Sequence, residues 1–450
     1  MPFDAKPPRA LAPGSRIAVV GSGVSGLTAA WLLSKAYEVV VYEADARLGG
    51  HANTVDVPTA GGATPVDAGF IVYNDANYPN LTALFAELGV ATEESCMSFA
   101  ASMRGGSMEY CGRTLSSVFA SRRNLLSPRF YGMLVDIVRF HKAARAAVAS
   151  GSGAEIALRD FVKREGLGRA FARDFLEPMA AAIWSTPSAD ILDFPADAFF
   201  RFFANHGLLQ VLDMPVWRTV SGGSRRYVEK IAAPFAGAAR LSTPVARIDR
   251  GPDGACVVDA KGGRDRFDAV VLATHADMAL ALLDEPSAQE EDVLGAFRYQ
   301  TNEAVMHFDA NLMPRRRRAW ASWNYIGADR PDGGASVSYW MNRLQNLTCA
   351  EDVFVTLNPV REVREDAVVA RFVYDHPMYD LDADAAQDRL WSLQGGGGVW
   401  YCGAHFGAGF HEDGAQAGLA VAEALGAVRR PWTVANESGR IRLPEPALAA

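Results

Sequence analysis

Residues 16 to 43, RIAVVGSGVSGLTAAWLLSKAYEVVVYE, leave this chain little choice about how it begins to fold. An apolar run of strand length stops at a glycine turn. A helix with an apolar stripe of Leu27, Ala30, Trp31 and Leu33 follows, and a second apolar run ends at Glu43. The stretch predicts a βαβ unit. In such a unit Gly21 permits the tight turn, Gly23 lets the backbone approach a pyrophosphate, and Gly26 lets helix and strand pack closely. The helix N-terminus around Ser25 supplies unpaired N–H groups and the positive end of a helix dipole for phosphates. Glu43 falls where a carboxylate can hold both ribose hydroxyls. Strand, helix and terminal acid together make this far more specific than a lone GxGxxG.

Two further stretches carry the same signature of backbone meant to approach a ligand. Residues 47 to 51 read Arg-Leu-Gly-Gly-His: Gly49 and Gly50 are expected to bring backbone against the dinucleotide from its other side, with Arg47 as a counter-charge. A surface turn is the plain alternative. Near the C-terminus, GGGGVWYCGAHFGAGFHEDGAQAGLAVAEAL predicts a short strand from Val399 to Cys402. A glycine-rich loop opening at Gly403 follows, then a helix from about Gly414 that Asp413 is placed to cap. No acid-terminated βαβ follows, so a separate NAD domain is not expected. Residues 242 to 283 alternate like a small antiparallel meander and end in a buried strand, DAVVLATH.

Composition sets outer limits. The chain has 450 residues, 49% of them hydrophobic, enough for two or three cores. Its net charge of −8 argues against nucleic acid as the main partner. No stretch approaches the ~20 uncharged apolar residues that span a bilayer. The N-terminal MPFDAKPPRALAPGSR has charges and prolines where a signal peptide has its apolar stretch, so the expected compartment is the cytoplasm. Five scattered cysteines without a CxxC pair argue against a disulfide framework and against a zinc site.

The pattern GxGxxGLxxA followed by ExxxRxGG resembles the FAD signature of the amine oxidase and phytoene desaturase superfamily. The resemblance implies FAD as cofactor and an α/β fold, a discontinuous Rossmann-like FAD-binding domain with an inserted mixed substrate domain. Residues 1–80, 211–285 and 392–430 would form the first and residues 81–210 and 286–391 the second, leaving 431–450 as a C-terminal tail. It also implies that the backbone around Val245 meets the adenine. The helix N-terminus after Gly403, at Asp413 and Gly414, would then point at the flavin pyrimidine ring and stabilise negative charge there. Two departures are visible: His51 stands where relatives usually carry a second arginine, and Gly403-Ala404 where they carry Gly-Asp.

Other side chains suggest what the site does. Of eight histidines, four (His51, His275, His405 and His411) lie inside the flavin segments. His51 and His405, each beside a glycine turn, are the candidates for an acid/base or a flavin-tuning group, with a structural role as the alternative. The chain has six lysines and none after Lys261, whereas amine oxidases of this superfamily typically place one near flavin N5 from the later part of the substrate domain. Amine oxidation is demoted accordingly. Phe199, Phe200, Phe202 and Phe203 either line an apolar channel or fill a core. Trp323, Tyr325, Tyr339 and Trp340 are candidate pocket residues. Arg315 to Arg318 form either a solvated loop or a contact with anionic lipid.

Beyond the cofactor motifs, AAAIWSTP, NHGLL, FRYQTNEAVMHFD, MPRRRRAWASWNY, YWMNRLQ, VTLNP and GFHEDGAQAG resemble a bacterial NAD/FAD-binding, amine-oxidase-like group. Its members tend to be encoded beside cyclopropane fatty-acid synthase-type methyltransferases. That resemblance implies a redox step on an acyl chain of a membrane lipid, desaturation next to a methyl branch, with oxygen or another electron acceptor and a peripheral place at the membrane. The rival readings are a carotenoid-type desaturase or isomerase, an amine oxidase, and a non-catalytic prenyl-binding escort of the same fold.

Overall fold

The two apolar runs of the opening motif become adjacent strands in the middle of a parallel sheet. The computed structural model describes residues 11–150, 156–184, 191–205, 209, 215–251, 254–328, 334–426 and 428–444. In it, β1 (Arg16–Val20), β2 (Glu38–Tyr42), β3 (Ala239–Arg240), β4 (Ala269–Leu272) and β5 (Val399–Tyr401) lie in the order β3-β2-β1-β4-β5, every pair parallel. A parallel sheet covered on both faces needs strands that are apolar throughout, and Ile17, Ala18 and Val19 are fully buried. Helix α1 (Val24–Leu33) follows β1 and is buried at all ten positions, because its second face is covered by a helix from nearly four hundred residues later.

The expected meander is present as three antiparallel strands, Val245–Gly251, Gly254–Asp259 and Arg264–Phe267. Backbone hydrogen bonds from Thr243 to the Glu43 carbonyl and from Ser242 to that of Asp45, both 2.9 Å, set its first strand beside the end of β2. Val245 therefore starts its strand next to Glu43.

A second, seven-stranded sheet runs in the order 368–378, 298–307, 354–357, 335–340, 323–327, 99–103 and 108–111. Its pairs are antiparallel except for Trp323–Gly327 with Phe99–Met103. The last two strands come from a region that reads as helical and aromatic, so that reading is incomplete: they lie between the helix Pro79–Glu87 and the long helix α2 (Pro128–Ser150).

The phenylalanines settle as core. Phe199, Phe200 and Phe203 are 1% exposed or less, with Phe199 stacked on Phe203 at 4.3 Å and Phe161 edge-on to Phe200 at 4.4 Å. The Phe202 side chain, His206 and parts of AAAIWSTP and NHGLL lie outside the described residues. Tyr325 joins the same core. Trp340 sits elsewhere, with Met313, Trp320 and Phe354.

The arginine run is partly internal. Glu109, fully buried, accepts the backbone N–H groups of Arg315 (2.7 Å) and Arg316 (3.2 Å) and the Arg316 guanidinium (2.8 Å). Arg317 pairs with Asp352 and lies over the Trp320 ring. Arg315 and Arg318 are exposed.

Candidate active site

The three glycines after β1 occupy different environments. A Cβ on Gly21 (φ +97°) would meet the Ala273 carbonyl oxygen at 2.9 Å, and one on Gly26 would overlap the Gly21 carbonyl. At Gly23 there is nothing within 4 Å, so open space lies in front of the turn at the start of α1. The Gly49-Gly50 loop closes on it, and a Cβ on Gly50 would meet the Gly23 Cα at 3.0 Å. Glu43 accepts from the Ser22 N–H at 3.0 Å and the Asp45 N–H at 2.9 Å, and the Ser22 hydroxyl is within 2.5 Å. A carboxylate has about four lone-pair sites, so capacity remains for a further donor.

Two side chains of the predicted set are engaged within the protein. Arg47 is spent within its own turn: its guanidinium donates to the carbonyls of Gly50 (2.9 Å) and Ala52 (3.2 Å) and pairs with Asp45 (3.4 Å). It staples the glycine loop. Ser25 is buried against the late helix, its Cβ 3.6 Å from where Gly414 would carry one.

That late helix, α3 (His411–Ala424), begins three residues before the expected start. Asp413 is therefore not its cap but the third residue inside, where it accepts the Phe410 N–H at 2.7 Å and holds a 2.6 Å ion pair with Arg440. The tail thus reaches back into the first turn of α3. Gly414 and Gly418 let α3 approach α1: a Cβ on Gly414 would meet Val24 Cγ1 at 2.7 Å, and one on Gly418 would overlap the Ser25 carbonyl and the Thr28 hydroxyl.

The histidines separate. His51 joins His376 (5.5 Å between ring centroids), His275 (6.4 Å) and Tyr374 (4.8 Å) in one cluster. Its backbone is drawn in by Gly69, where any Cβ would overlap the His51 carbonyl. Asn302 fixes His376 through Nδ1 at 2.8 Å, Asn53 donates to the Tyr374 hydroxyl at 3.0 Å, and Tyr299 stacks on His275 at 4.4 Å. His411 stacks on Phe70 at 3.7 Å. His405 is turned away onto Phe297 and over Gly403, buried, with Nε2 unpartnered. Trp323 and Tyr339 meet edge-on at 5.1 Å, in the same apolar cluster as Tyr374 but three strands and more away from it.

Tyr374 and His376 were not singled out from sequence. A signal existed: in the strand 368–378 the alternation puts Phe372, Tyr374 and His376 on one face and Arg371, Val373 and Asp375 on the other.

Burial, aided by the neighbouring imidazoles, holds His51 well below the ordinary histidine range. It lowers His275 as well, pushes His376 to about 4, and takes His405 and His411 to about 3. Away from the cluster, buried His141 and His307 are also at about 4. Unfolding restores a pKa near 6.5, so between that value and the folded values the unfolded chain binds more protons and stability falls as pH falls. Each histidine that stays neutral costs about 1 kcal/mol by pH 5.5. A steep loss of thermal stability of the cofactor-free protein between pH 7 and 5 is expected, read by Tm across that range; a flat profile would contradict it.

The space before Gly23, the residual capacity of Glu43 and the unpartnered, buried His275 Nδ1 and Tyr379 hydroxyl fit a polar dinucleotide bearing an aromatic ring system. A family model described as flavin containing amine oxidoreductase matches residues 24–425. The chain belongs to that family. FAD is therefore its cofactor and the protein is a FAD-dependent oxidoreductase, acting on a substrate and an electron acceptor such as oxygen. Among solved structures, this oxidoreductase is similar to putrescine oxidase bound to putrescine (14% identity, TM-score 0.67, covering 91% of this chain and 98% of that one). It is similar also to a CLA-producing fatty acid isomerase from P. acnes (13%, 0.64, 91% and 98%) and to cyclohexylamine oxidase from Brevibacterium oxydans (16%, 0.62, 92% and 99%). At these identities the likeness is one of fold. A search of curated proteins finds no significant match. Among the described residues, no group of three or more His, Cys, Asp or Glu is arranged to hold a metal ion.

Proposed function

We propose that this oxidoreductase removes hydrogen from an uncharged, acyl-type carbon chain, desaturating or oxidising a methyl-branched fatty acyl group of a membrane lipid. The observation that carries the reading is the charge of the His51 cluster. Fold neighbours include both amine oxidases and a fatty acid isomerase, so fold does not discriminate. An ammonium substrate calls for a buried anion or an aromatic cage. Here burial comes first for His51, followed by other histidines and Arg47 rather than an anion, and the buried Asp67 that acts on Tyr374 is already taken up by Thr54, Ser224 and Gln345. The carboxylates that act on His275 are Asp277, which is exposed, and Asp375, which accepts the Thr301 hydroxyl on the other face of its strand. A site of neutral imidazoles and tyrosines suits a substrate without charge.

Bound FAD would supply a hydride acceptor for an activated C–H bond and a route for the electrons to an acceptor. His51, neutral at pH 7, can accept the proton from the neighbouring carbon, and His376 beside it, oriented by Asn302, tunes its basicity. Gly21, Gly23, Gly26, Glu43, Gly49, Gly50 and the backbone at Val245 hold the dinucleotide in this reading. Gly403, Asp413 and Gly414 shape the loop and helix end at the ring. Segments feeding the parallel sheet bind cofactor; segments feeding the seven-stranded sheet roof it.

The test is anaerobic bleaching of the flavin. Methyl-branched phospholipid is expected to bleach it and to acquire a double bond. His51→Ala is expected to slow bleaching roughly a hundredfold or more while retaining FAD. Bleaching by a diamine or a polyene, with none by the lipid, would overturn the acyl reading.

A further inference from the structure

Between Thr114 and Leu126 polar side chains lie inside and leucines outside. Ser117, Ser121 and Asn124 are 6% exposed or less and pin the backbone from below: Ser121 bonds the Ser107 carbonyl at 2.9 Å, and Asn124 the Glu109 carbonyl at 3.3 Å. Leucines point outward instead, Leu115 at 81% exposed and Leu126 at 88%. A reciprocal cap between Thr114 and Ser117 fixes the turn that presents Leu115, and the Tyr131 hydroxyl ties down the Leu125 carbonyl at 3.2 Å. On α2, Tyr131, Val135 and Val138 continue the exposed apolar surface, and Lys142 and Arg145 extend the same stripe at helical spacing. Six of the twelve large hydrophobic residues most exposed among the described ones fall between 115 and 138. Single exposed leucines need no explanation, but a contiguous set does.

The charge around it identifies the partner. Residues 112–150 carry seven basic side chains against a single carboxylate, Asp136, in a chain of net charge −8. Asp136 is buried and already paired with Arg139, and Arg129 with Asp174. Arg113, Arg122, Arg123, Lys142 and Arg145 are exposed, and none has an ion pair among the described residues. The turn at 317–319, which leaves Arg318 exposed, packs beside Leu115–Val118. No helix among the described residues is long and apolar enough to cross a membrane. Protruding leucines inside a ring of unpaired cations, with a tyrosine at the boundary, match the anionic surface of a lipid bilayer: the leucines enter the acyl boundary and the cations meet the headgroups. We propose that this face docks the protein on anionic membranes.

The proposal does not depend on the substrate, because binding is read without turnover. The FAD-loaded full chain is floated with vesicles of phosphatidylcholine alone and of phosphatidylcholine mixed equally with phosphatidylglycerol. Binding to the mixed vesicles only, weakened by salt, is expected. The double substitutions Arg122→Glu with Arg123→Glu, and Leu125→Ser with Leu126→Ser, are each expected to weaken it at least about tenfold. Flavin absorbance and Tm should be unchanged, since all four side chains are exposed. Absence of binding to mixed vesicles, or binding that both variants leave intact, overturns the proposal. So does a solution dimer that the same substitutions dissociate, or preferential binding to duplex DNA.

Discussion

Gly23→Ala is expected to lose FAD without losing stability, and Gly26→Ala to lose both. The two glycines lie three residues apart in one motif, yet their surroundings are opposite. Gly23 has φ −64°, which alanine adopts freely, and its Cβ would have nothing within 4 Å. A methyl there would stand only in the open space that the proposed reading gives to the pyrophosphate. Losing about two charge-assisted hydrogen bonds, each roughly 1.5–3 kcal/mol, weakens FAD binding a hundredfold or more. At Gly26 the methyl runs into the Gly21 carbonyl, backbone against backbone, and nothing flexible can give way. Helix and strand must separate, at about 3 kcal/mol or more even before cofactor is added. Denaturation of the two cofactor-free variants, followed by FAD titration, separates the effects. Equal stability losses in both would refute this assignment of roles.

Arg440→Ala is expected to destabilise the protein by about 3–5 kcal/mol. Asp413 is 1% exposed, and the Arg440 guanidinium meets it at 2.6 and 3.2 Å while also donating to the Asn77 carbonyl at 2.9 Å. Removing the arginine leaves a charged carboxylate without its counter-ion in the first turn of α3. The Phe410 N–H and the helix dipole offset only part of that loss. Since this turn follows the loop proposed to meet the flavin, FAD retention should fall with stability. Arg440→Lys keeps the charge but not the two-point geometry and should fall between. Urea denaturation with bound flavin as a second readout decides the matter; a loss under 1 kcal/mol for the alanine variant would show that the tail is dispensable.

What was legible in the sequence is what local chemistry controls. The strand-turn-helix-strand order, the tight turn at Gly21, the close approach at Gly26 and the glycine loop at 49–50 each follow from backbone conformation and close approach within a few residues. The meander at 245–267 was legible for the same reason, since alternation reports a half-buried antiparallel sheet. The tertiary structure alone decided contacts between segments hundreds of residues apart. Gly418 looks like any helix glycine until α3 is laid on α1. Arg440 looks like part of a polar tail until it finds Asp413, and the arginine run looks like one feature until Glu109 takes Arg316 and Asp352 takes Arg317. His51 and His405 sit in similar glycine-flanked loops, and only the strand that carries Tyr374 and His376 distinguishes the histidine in a cluster from the one packed on Phe297. Long-range burial sets these outcomes, because it determines which polar groups lose water and must find partners in the protein.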